Sequence, residues 1–115
     1  MIIIVGASAS GKTQLAKILY QNFVYKKCIT TTTRKPRINE VDGKDYYFVS
    51  KEVFKDLLAE DAFVEHSIYN DQMYGLQRKD VRENGIVILD PTGANNLAKT
   101  LKKMHMLCLL IRMKP

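Results

Sequence analysis

Several features that mark other classes of protein are missing from this sequence. Only two cysteines occur, Cys28 and Cys108, and each falls within a predicted core strand where a thiol packs as a small hydrophobe, so we expect neither a disulfide nor a metal site there. The two histidines, His66 and His105, have no metal-ligand spacing, and we expect structural roles for both. No repeat, low-complexity tract or Pro-rich linker appears, which favours one domain for a chain of 115 residues.

Targeting and anchoring signals are also lacking. No apolar run approaches the ~20 residues of a membrane span, and the apolar N-terminus has neither a basic region nor a small-residue cleavage site. We therefore predict no membrane partner and a cytoplasmic location. The net charge of +6 comes from dispersed basic residues, without a Lys/Arg block or an aromatic stacking motif. This pattern predicts phosphorylated small molecules rather than nucleic acid as ligands.

The N-terminal segment contains a specific phosphate-binding motif. The apolar run Ile2–Val5 suits a strand buried on both faces, and it leads into the pattern Gly-x-x-x-x-Gly-Lys-Thr at Gly6–Thr13, after which apolar residues recur at helical spacing. In such a loop successive backbone N–H groups point at phosphate oxygens, and the following helix offers its positive N-terminus to the same anion. A Gly/Ser-rich turn could match the pattern by chance, but the flanking strand and helix favour a nucleoside triphosphate site.

The residues of this loop have separate predicted roles. Gly6 and Gly11 are the hinges, Lys12 reaches the terminal phosphates as a point charge, and the Thr13 hydroxyl is a ligand of the accompanying Mg2+. The residues assigned to the triphosphate are Gly6, Ala7, Ser8, Ala9, Ser10, Gly11, Lys12 and Thr13.

Strands and helices alternate over most of the chain. We predict strands at Met1–Val5, Lys27–Thr31, Asp45–Val49, Ala62–Tyr69, Gly85–Asp90 and Met106–Ile111. The predicted helices are Lys12–Asn22, Lys51–Glu60 with Ser50 as its N-cap, Arg78–Asn84 closed by Gly85 as a left-handed cap, and Ala94–His105. The alternation predicts an α/β fold with a parallel sheet, like that of P-loop NTPases, and helices on both faces.

The middle third departs from this alternation and reads as antiparallel. One face of a strand is predicted to carry Phe63, Glu65, Ser67 and Tyr69. Asn70 and Asp71 form a turn signal before the next strand. We therefore predict a small antiparallel β-rich insertion at about residues 31–77, on a core of residues 1–30 and 78–115. Such an insertion is a place to hold a second substrate near the loop.

A longer motif lies inside this insertion. The chain reads TTTTRKPRINEVDGKDYYFVS from Thr30 and FVEHSIYNDQMYG from Phe63. These segments resemble the guanylate kinase family, whose monophosphate-binding region has the pattern T-T-R-x-P-R-x-x-E-x-x-G-x-D-Y-x-F, followed by F-hydrophobic-E and a Tyr-Gly pair. The resemblance runs from residue 1 to the end of the chain. The central motif is much more discriminating than the phosphate loop.

The resemblance implies a clamp for the phosphate of GMP. Arg34 and Arg37, on either side of Pro36, resemble the family's two phosphate-binding guanidinium groups, and the Tyr46 and Tyr74 hydroxyls would complete the grip. Spacing alone also suits a solvated basic loop, and the two tyrosines alone also suit ordinary core aromatics.

The resemblance also implies a reader of the guanine base. A carboxylate at Glu65 accepts two hydrogen bonds from the N1–H and exocyclic amine edge that guanine presents and adenine does not, although an exposed strand glutamate is the alternative in isolation. Thr30 matches a hydroxyl used at the guanine carbonyl, and Asp90 resembles the first of the family's paired acids, expected beside Mg2+ or its waters. The expected GMP-binding residues are Thr30, Arg34, Arg37, Tyr46, Glu65, Tyr74, Gly75 and Asp90. The expected catalytic residues are Lys12, Arg34 and Arg37, and the expected metal ligands are Thr13 and Asp90.

The sequence departs from the family in three places. Leu76 stands where Ser or Thr usually follows Tyr-Gly, so one hydroxyl toward guanine is missing. The step from Asp90 to Gly93 is one residue shorter than the family's acid-rich step and lacks its second acid. The chain stops at Pro115, before the arginine-bearing lid and C-terminal elements of the family.

These observations together predict a guanylate kinase that transfers the terminal phosphoryl group of ATP to GMP or dGMP, with Mg2+ as cofactor. The alternatives are a catalytically silent module of the same family that binds nucleotide or protein, and a kinase for another phosphorylated small molecule. The missing lid predicts that this 115-residue form is weakly active or inactive. The sequence leaves monomer and homodimer open.

Overall fold

The computed structural model of the chain describes residues 1–6, 11–22, 24–89 and 91–113. The strands in these ranges are β1 (Ile2–Val5), β2 (Lys26–Lys27), β3 (Thr31–Thr32), β4 (Tyr47–Phe48), β5 (Phe63–Tyr69), β6 (Gln72–Gln77), β7 (Gly85–Leu89) and β8 (Leu109–Arg112). The helices are α1 (Lys12–Asn22), α2 (Lys51–Ala59) and α3 (Pro91–Lys103), with a 3-10 turn at Arg78–Asp80. The chain forms two compact units, which we call the first unit (Met1–Cys28 and Arg82–Pro115) and the second unit (Ile29–Val81).

The first unit is built on a parallel sheet. Its strand order is β2-β7-β1-β8, and every pair is parallel. Ile2 and Ile4 pack with Ala16 of α1 on one face, and Ile3, which alternates to the other face, is fully buried too. Burial on both faces explains why β1 is a continuous apolar run. The predicted parallel α/β sheet is confirmed.

The second unit has a separate sheet in the order β4-β3-β6-β5. The predicted hairpin is present: β5 and β6 are antiparallel, and Asn70 and Asp71 turn the chain with left-handed φ angles of 49° and 62°. Strand β3 is antiparallel to β6 but parallel to β4. The sheet therefore contains both parallel and antiparallel pairs.

Helix α2 packs within the second unit. Its predicted N-cap is confirmed, since the Ser50 hydroxyl accepts a hydrogen bond from the Val53 amide at 3.1 Å. Phe54 is fully buried, and its ring stacks on that of Phe63 in β5 with centroids 4.5 Å apart. These aromatic side chains join the helix to one face of the sheet.

A β-bulge changes which side chains share a face of this sheet. Phe63 pairs with Gln77, whereas Glu65 pairs with the adjacent residue Leu76, so the register shifts between Phe63 and Glu65. Paired residues point to the same face, and neighbours along a strand point to opposite faces. The prediction that Phe63 shares a face with Glu65 is therefore wrong, because the extra residue Val64 reverses the alternation.

Several predicted boundaries also differ from the structure. The strand predicted at Lys27–Thr31 is two short strands, β2 and β3, in different sheets. The strand predicted at Asp45–Val49 shortens to β4, because the residues before it form the turn around Gly43. Helix α3 begins at Pro91 rather than Ala94, since proline is tolerated in the first turn of a helix.

The predicted helix at Arg78–Asn84 is wrong. Only Arg78–Asp80 forms a 3-10 turn, and Gly85 begins β7 instead of capping a helix. The φ of Gly85 is not left-handed; a Cβ there would collide with the sulfur of Cys28 and lie 2.9 Å from the Arg82 carbonyl oxygen. Glycine is needed at this position for close packing and not for its backbone freedom.

The two cysteines differ in environment. Cys28 is buried as predicted, but Cys108 is exposed and lies just before β8. None of the helices in the described ranges is long and apolar enough to cross a bilayer.

Candidate functional site

The phosphate loop motif of the first unit lies between β1 and α1. Gly11 has a φ of 82°, which favours glycine, and its carbonyl accepts the first helical hydrogen bond from the Leu15 amide at 3.1 Å. The amides at the start of α1 have no partner within the helix and are suited to an anion. Ala7, Ser8, Ala9 and Ser10 lie outside the described residues, as does the side chain of Thr13.

Lys12 is placed at this same helix start. Its ammonium group donates to the Gly6 carbonyl oxygen at 2.6 Å. The contact brings the lysine charge back across the loop motif, from the first residue of α1 to the residue after β1. A flexible ammonium in this position can reach phosphate oxygens as a point charge.

The end of β7 is the expected position of an acid near the loop. Val5 of β1 pairs with Leu89 of β7, so the carboxyl ends of the two parallel strands lie side by side. Asp90, the predicted acid, lies outside the described residues. Within the part of the chain that the structure describes, no group of three or more His, Cys, Asp or Glu side chains could hold a metal ion.

In the second unit, Arg34 is the centre of a charged and aromatic cluster. Its guanidinium donates from Nη1 and Nη2 to the two carboxylate oxygens of Glu40, at 2.9 and 3.1 Å. The same group lies over the Tyr46 ring at 5.1 Å and over the Phe48 ring at 5.9 Å from the centroids. The hydrogen bond with Arg34 is the main reason that the pKa of Glu40 falls below its ordinary value. Arg34 is thus a fixed cation on an aromatic surface.

The two predicted phosphate-binding tyrosines meet in this cluster. The rings of Tyr46 and Tyr74 are 6.3 Å apart and edge-on. Burial is the main cause that raises the pKa of Tyr46, while the neighbouring Arg34 opposes the shift. The raised pKa keeps the Tyr46 phenol protonated near neutral pH, so that its hydroxyl can donate a hydrogen bond.

The loop before Tyr46 is held by two aspartates. The Asp42 carboxylate accepts from the Phe48 amide at 2.9 Å, and the Asp45 carboxylate accepts from the Val41 amide at 2.7 Å. Gly43 between them has a left-handed φ of 81°. These contacts explain the presence of Asp42, Gly43 and Asp45 in the segment that leads to Tyr46.

Glu65 lies on the same face of the sheet as Tyr74. The register pairs Glu65 with Leu76 and Ser67 with Tyr74, and Thr32 also pairs with Tyr74. We call this set the Glu65 face: Glu65, Ser67, Thr32, Tyr74 and Leu76. Glu65 is only 4% exposed, so the alternative of a solvent-exposed strand glutamate is excluded.

The remaining predicted residues are placed differently. Thr30 is buried beside β3, and its carbonyl oxygen accepts from the Tyr47 amide at 3.0 Å. Arg37 is exposed on the loop between β3 and β4, and only its backbone takes part in the hydrogen bonds described for it. A side chain at Gly75 would lie on the face opposite the Glu65 face, where a Cβ would come within 2.6 Å of the Phe63 ring. The structure therefore gives Gly75 a packing role.

Two contacts of the second unit were not predicted from the sequence. Glu40 occupies a fixed position of the central motif, yet its pairing with Arg34 was not predicted. The buried amide of Gln77 donates to the Thr31 hydroxyl at 2.8 Å on the face opposite Glu65. The motif spacing offered a signal for Glu40 alone, since an acid six residues after an arginine can return to it across a turn.

The fold and the loop motif together define a class. A parallel sheet whose first strand leads through Gly-x-x-x-x-Gly-Lys-Thr into a helix is the arrangement of P-loop nucleotide-binding α/β proteins. Within this class, the guanylate kinase family model matches residues 1–115, and the chain belongs to the guanylate kinase family.

Similar proteins from several organisms are named guanylate kinase. The chain is 37% identical to a guanylate kinase of Mycoplasma mobile, over 93% of this chain and 57% of the relative. It is 42% identical to one from Caldanaerobacter subterraneus over 73% of this chain and 41% of the relative, and 36% identical to one from Sus scrofa over 86% and 54%. The crystal structure of guanylate kinase from Anaplasma phagocytophilum superposes with a TM-score of 0.78 at 26% identity, covering 97% of this chain and 58% of that one. The chain thus spans about half the length of the curated relatives it matches.

Proposed function

We propose that this protein acts in the transfer of a phosphoryl group from ATP to GMP. The observation that carries the proposal is the Glu65 face of the second unit. There a buried carboxylate lies on the same side of one sheet as Tyr74, which in turn contacts Tyr46 beneath the Arg34 guanidinium. A carboxylate and a cationic clamp on one surface suit a ligand with a guanine base at one end and a phosphate at the other.

The base end of this ligand would be read by Glu65. A buried carboxylate is a double acceptor, and guanine offers two adjacent donors on its N1–H and exocyclic amine edge. Adenine would place an acceptor against the same carboxylate. We therefore expect GMP and dGMP to be preferred to AMP.

The phosphate end would lie on Arg34. The exposed side chain of Arg37, on the same loop of the second unit, would contact it from the solvent side. A guanidinium donates charge-assisted hydrogen bonds to a phosphate, and the Tyr46 and Tyr74 hydroxyls add neutral donors. An oxygen of the GMP phosphate would then attack the terminal phosphorus of ATP while the bond to the bridging oxygen breaks. GDP and ADP are the products. The phosphate is already an anion, so no general base is needed.

ATP would bind the first unit through the loop of Gly6–Thr13. The amides at the start of α1 and the Lys12 ammonium supply positive charge for its phosphates. The chemistry of the loop fits Mg2+, which prefers hard oxygen ligands, and the Thr13 hydroxyl and Asp90 would hold it or its waters. When bound, this ion neutralises charge on the transferred group.

Two other functions remain open to test. A catalytically silent module is favoured by Leu76, since this fully buried apolar side chain is the register partner of Glu65 and supplies no hydroxyl to a base. A kinase for another phosphorylated molecule would keep the Arg34 clamp but not the Glu65 preference. A cytoplasmic location and the absence of nucleic-acid and membrane partners stay predictions of the sequence.

A coupled assay of ADP formation on the purified chain tests the proposal. With ATP and Mg2+, we expect GMP and dGMP to be turned over faster than AMP or UMP, and Lys12→Ala to abolish the signal. Equal rates with AMP would remove the proposed role of Glu65. Binding of GMP in calorimetry, with neither turnover nor Mg2+-dependent heat from a non-hydrolysable ATP analogue, would support the silent module.

A further inference from the structure

We propose that Glu40 is a positioning residue for the phosphate of GMP: its carboxylate holds Arg34 and the backbone of Arg37 so that one edge of the Arg34 guanidinium is left to meet the anion. The inference deepens the proposed function and rests on it. The motif spacing suggests only that this acid can reach Arg34, and not what it does there.

The donors of Arg34 can be counted from its contacts. A guanidinium carries five N–H donors, of which two are on Nη1, two on Nη2 and one on Nε. Nη1 donates to Glu40 at 2.9 Å and to the Lys35 carbonyl at 3.1 Å, and Nη2 donates once to Glu40 at 3.1 Å. Two donors remain, on Nη2 and Nε, and they form one edge. Arg34 also hydrogen-bonds with the Tyr46 hydroxyl, which takes one of these two donors and leaves the other for a phosphate oxygen.

The guanidinium has little freedom to turn away. Glu40 holds one end of its plane in a bidentate pair, and the rings of Tyr46 and Phe48 cover it at 5.1 and 5.9 Å. The two charged side chains are only 15% and 20% exposed, so solvent weakens the pair less than it would at the surface. Immobilising this arginine before the ligand arrives removes an entropic cost from binding.

Glu40 also shapes the loop that carries the second arginine. One of its carboxylate oxygens accepts from the Arg37 amide at 2.7 Å, and its own amide donates to the Arg37 carbonyl at 3.0 Å. Asn39 supports this turn with a left-handed φ of 66°. A single carboxylate therefore connects the side chain of Arg34 with the backbone of Arg37.

The opposite interpretation makes a different prediction. If Glu40 merely neutralised Arg34, it would compete with the phosphate, and its removal would tighten GMP binding. If it positions Arg34, its removal weakens GMP binding. Glu40→Gln separates the two, because glutamine keeps the shape and one acceptor but loses the charge and the second acceptor.

The matched control is a second ion pair in the same unit. Arg78 and Asp61 lie 3.1 Å apart, but their side chains are 52% and 84% exposed and belong to no proposed site. Asp61→Asn removes a carboxylate of the same kind, and asparagine tolerates the left-handed φ of 55° at this position. Guanosine, which lacks the phosphate, is the matched ligand control.

The experiment has two readouts on wild type, Glu40→Gln and Asp61→Asn. In nitrogen-15 NMR relaxation of the free protein, we expect a rigid Arg34 Nε–H group in wild type and Asp61→Asn and a mobile one in Glu40→Gln. In calorimetry, we expect Glu40→Gln to raise the Kd for GMP about 5- to 20-fold and to leave guanosine binding unchanged. Asp61→Asn should change neither.

The outcomes separate this inference from the proposed function. Wild type that binds no GMP would contradict the proposed function, while the NMR readout would still decide whether Glu40 fixes Arg34. The inference would be overturned if the Arg34 Nε–H group were mobile in wild type, or as rigid in Glu40→Gln as in wild type. Unchanged or tighter GMP binding in Glu40→Gln would overturn it too. A loss of guanosine binding equal to the loss of GMP binding would show a general structural role instead.

Discussion

Replacing Gly75 with alanine should destabilise the second unit through a single steric contact. A Cβ at this position would lie 2.6 and 2.7 Å from two atoms of the Phe63 ring, about 0.8 Å inside the 3.4 Å of an ordinary contact. The φ of Gly75 is outside the left-handed region, so alanine brings no backbone strain of its own. The cost must therefore come from the ring.

The ring cannot move aside freely. Phe63 is 6% exposed and stacks on the fully buried Phe54 at 4.5 Å, so a shift of one ring disturbs the other. Overpacking of this kind costs about 1–3 kcal/mol. For a chain of this size, this corresponds to a fall in Tm of roughly 5–15 °C.

Thermal unfolding followed by circular dichroism measures this loss, and a double-mutant cycle identifies its cause. In a Phe63→Leu background the smaller side chain makes room, so Gly75→Ala should cost much less than it does in wild type. An equal cost in both backgrounds, or a cost in wild type below about 0.5 kcal/mol, which is the range of an ordinary surface substitution, would refute the reasoning.

Three further predictions concern separate parts of the molecule. Glu65→Gln should raise the Kd for GMP about 10- to 100-fold in calorimetry and leave that for AMP unchanged, because one charge-assisted acceptor becomes a donor; equal effects on both nucleotides would contradict base reading. Lys12→Ala should weaken binding of a non-hydrolysable ATP analogue but not of GMP, and a loss of both would indicate a folding defect. The pKa of Tyr20 is raised to about 12, mainly by burial and also by Cys28. The neutral phenol therefore stabilises the fold fully below its ordinary pKa of about 10 and loses this effect as pH approaches 12. Tyr20→Phe should remove from the tyrosine absorbance titration a component that ionises at high pH. An unchanged titration curve would contradict the pKa shift.

Sequence patterns predicted the elements that local chemistry determines. The apolar run of β1 and the helical spacing after it gave the correct strand and the correct bounds of α1. Ser50 was recognised as a cap because its hydroxyl precedes a helical pattern, and Asn70 and Asp71 marked the hairpin because both tolerate left-handed φ. Each of these signals acts within a few residues.

Features that depend on distant partners were missed. The bulge at Val64 has no local signature, yet it reverses the alternation and moves Phe63 away from Glu65. The requirement for glycine at Gly85 comes from packing against Cys28 and Arg82, which no local pattern reveals.

The sequence identified residues of the candidate site, but it revealed less about how they are arranged and what each contacts. Arg34, Tyr46, Glu65 and Tyr74 were assigned from the family motif, and their clustering around one sheet face could not follow from spacing. The sequence patterns assigned no role to Glu40. Only the structure joins it to Arg34 at 2.9 Å.

We expect GMP to bind the Glu65 face of the second unit with its phosphate on Arg34. Titration of the isotope-labelled chain with GMP, followed by NMR chemical shifts, tests this most directly. We predict shifts at Arg34, Tyr74 and Glu65, much smaller shifts at Thr31 and Gln77 on the opposite face, and weaker effects from AMP at the same concentrations. Equal shifts from AMP, or shifts of the same size on both faces of the sheet, would contradict the account.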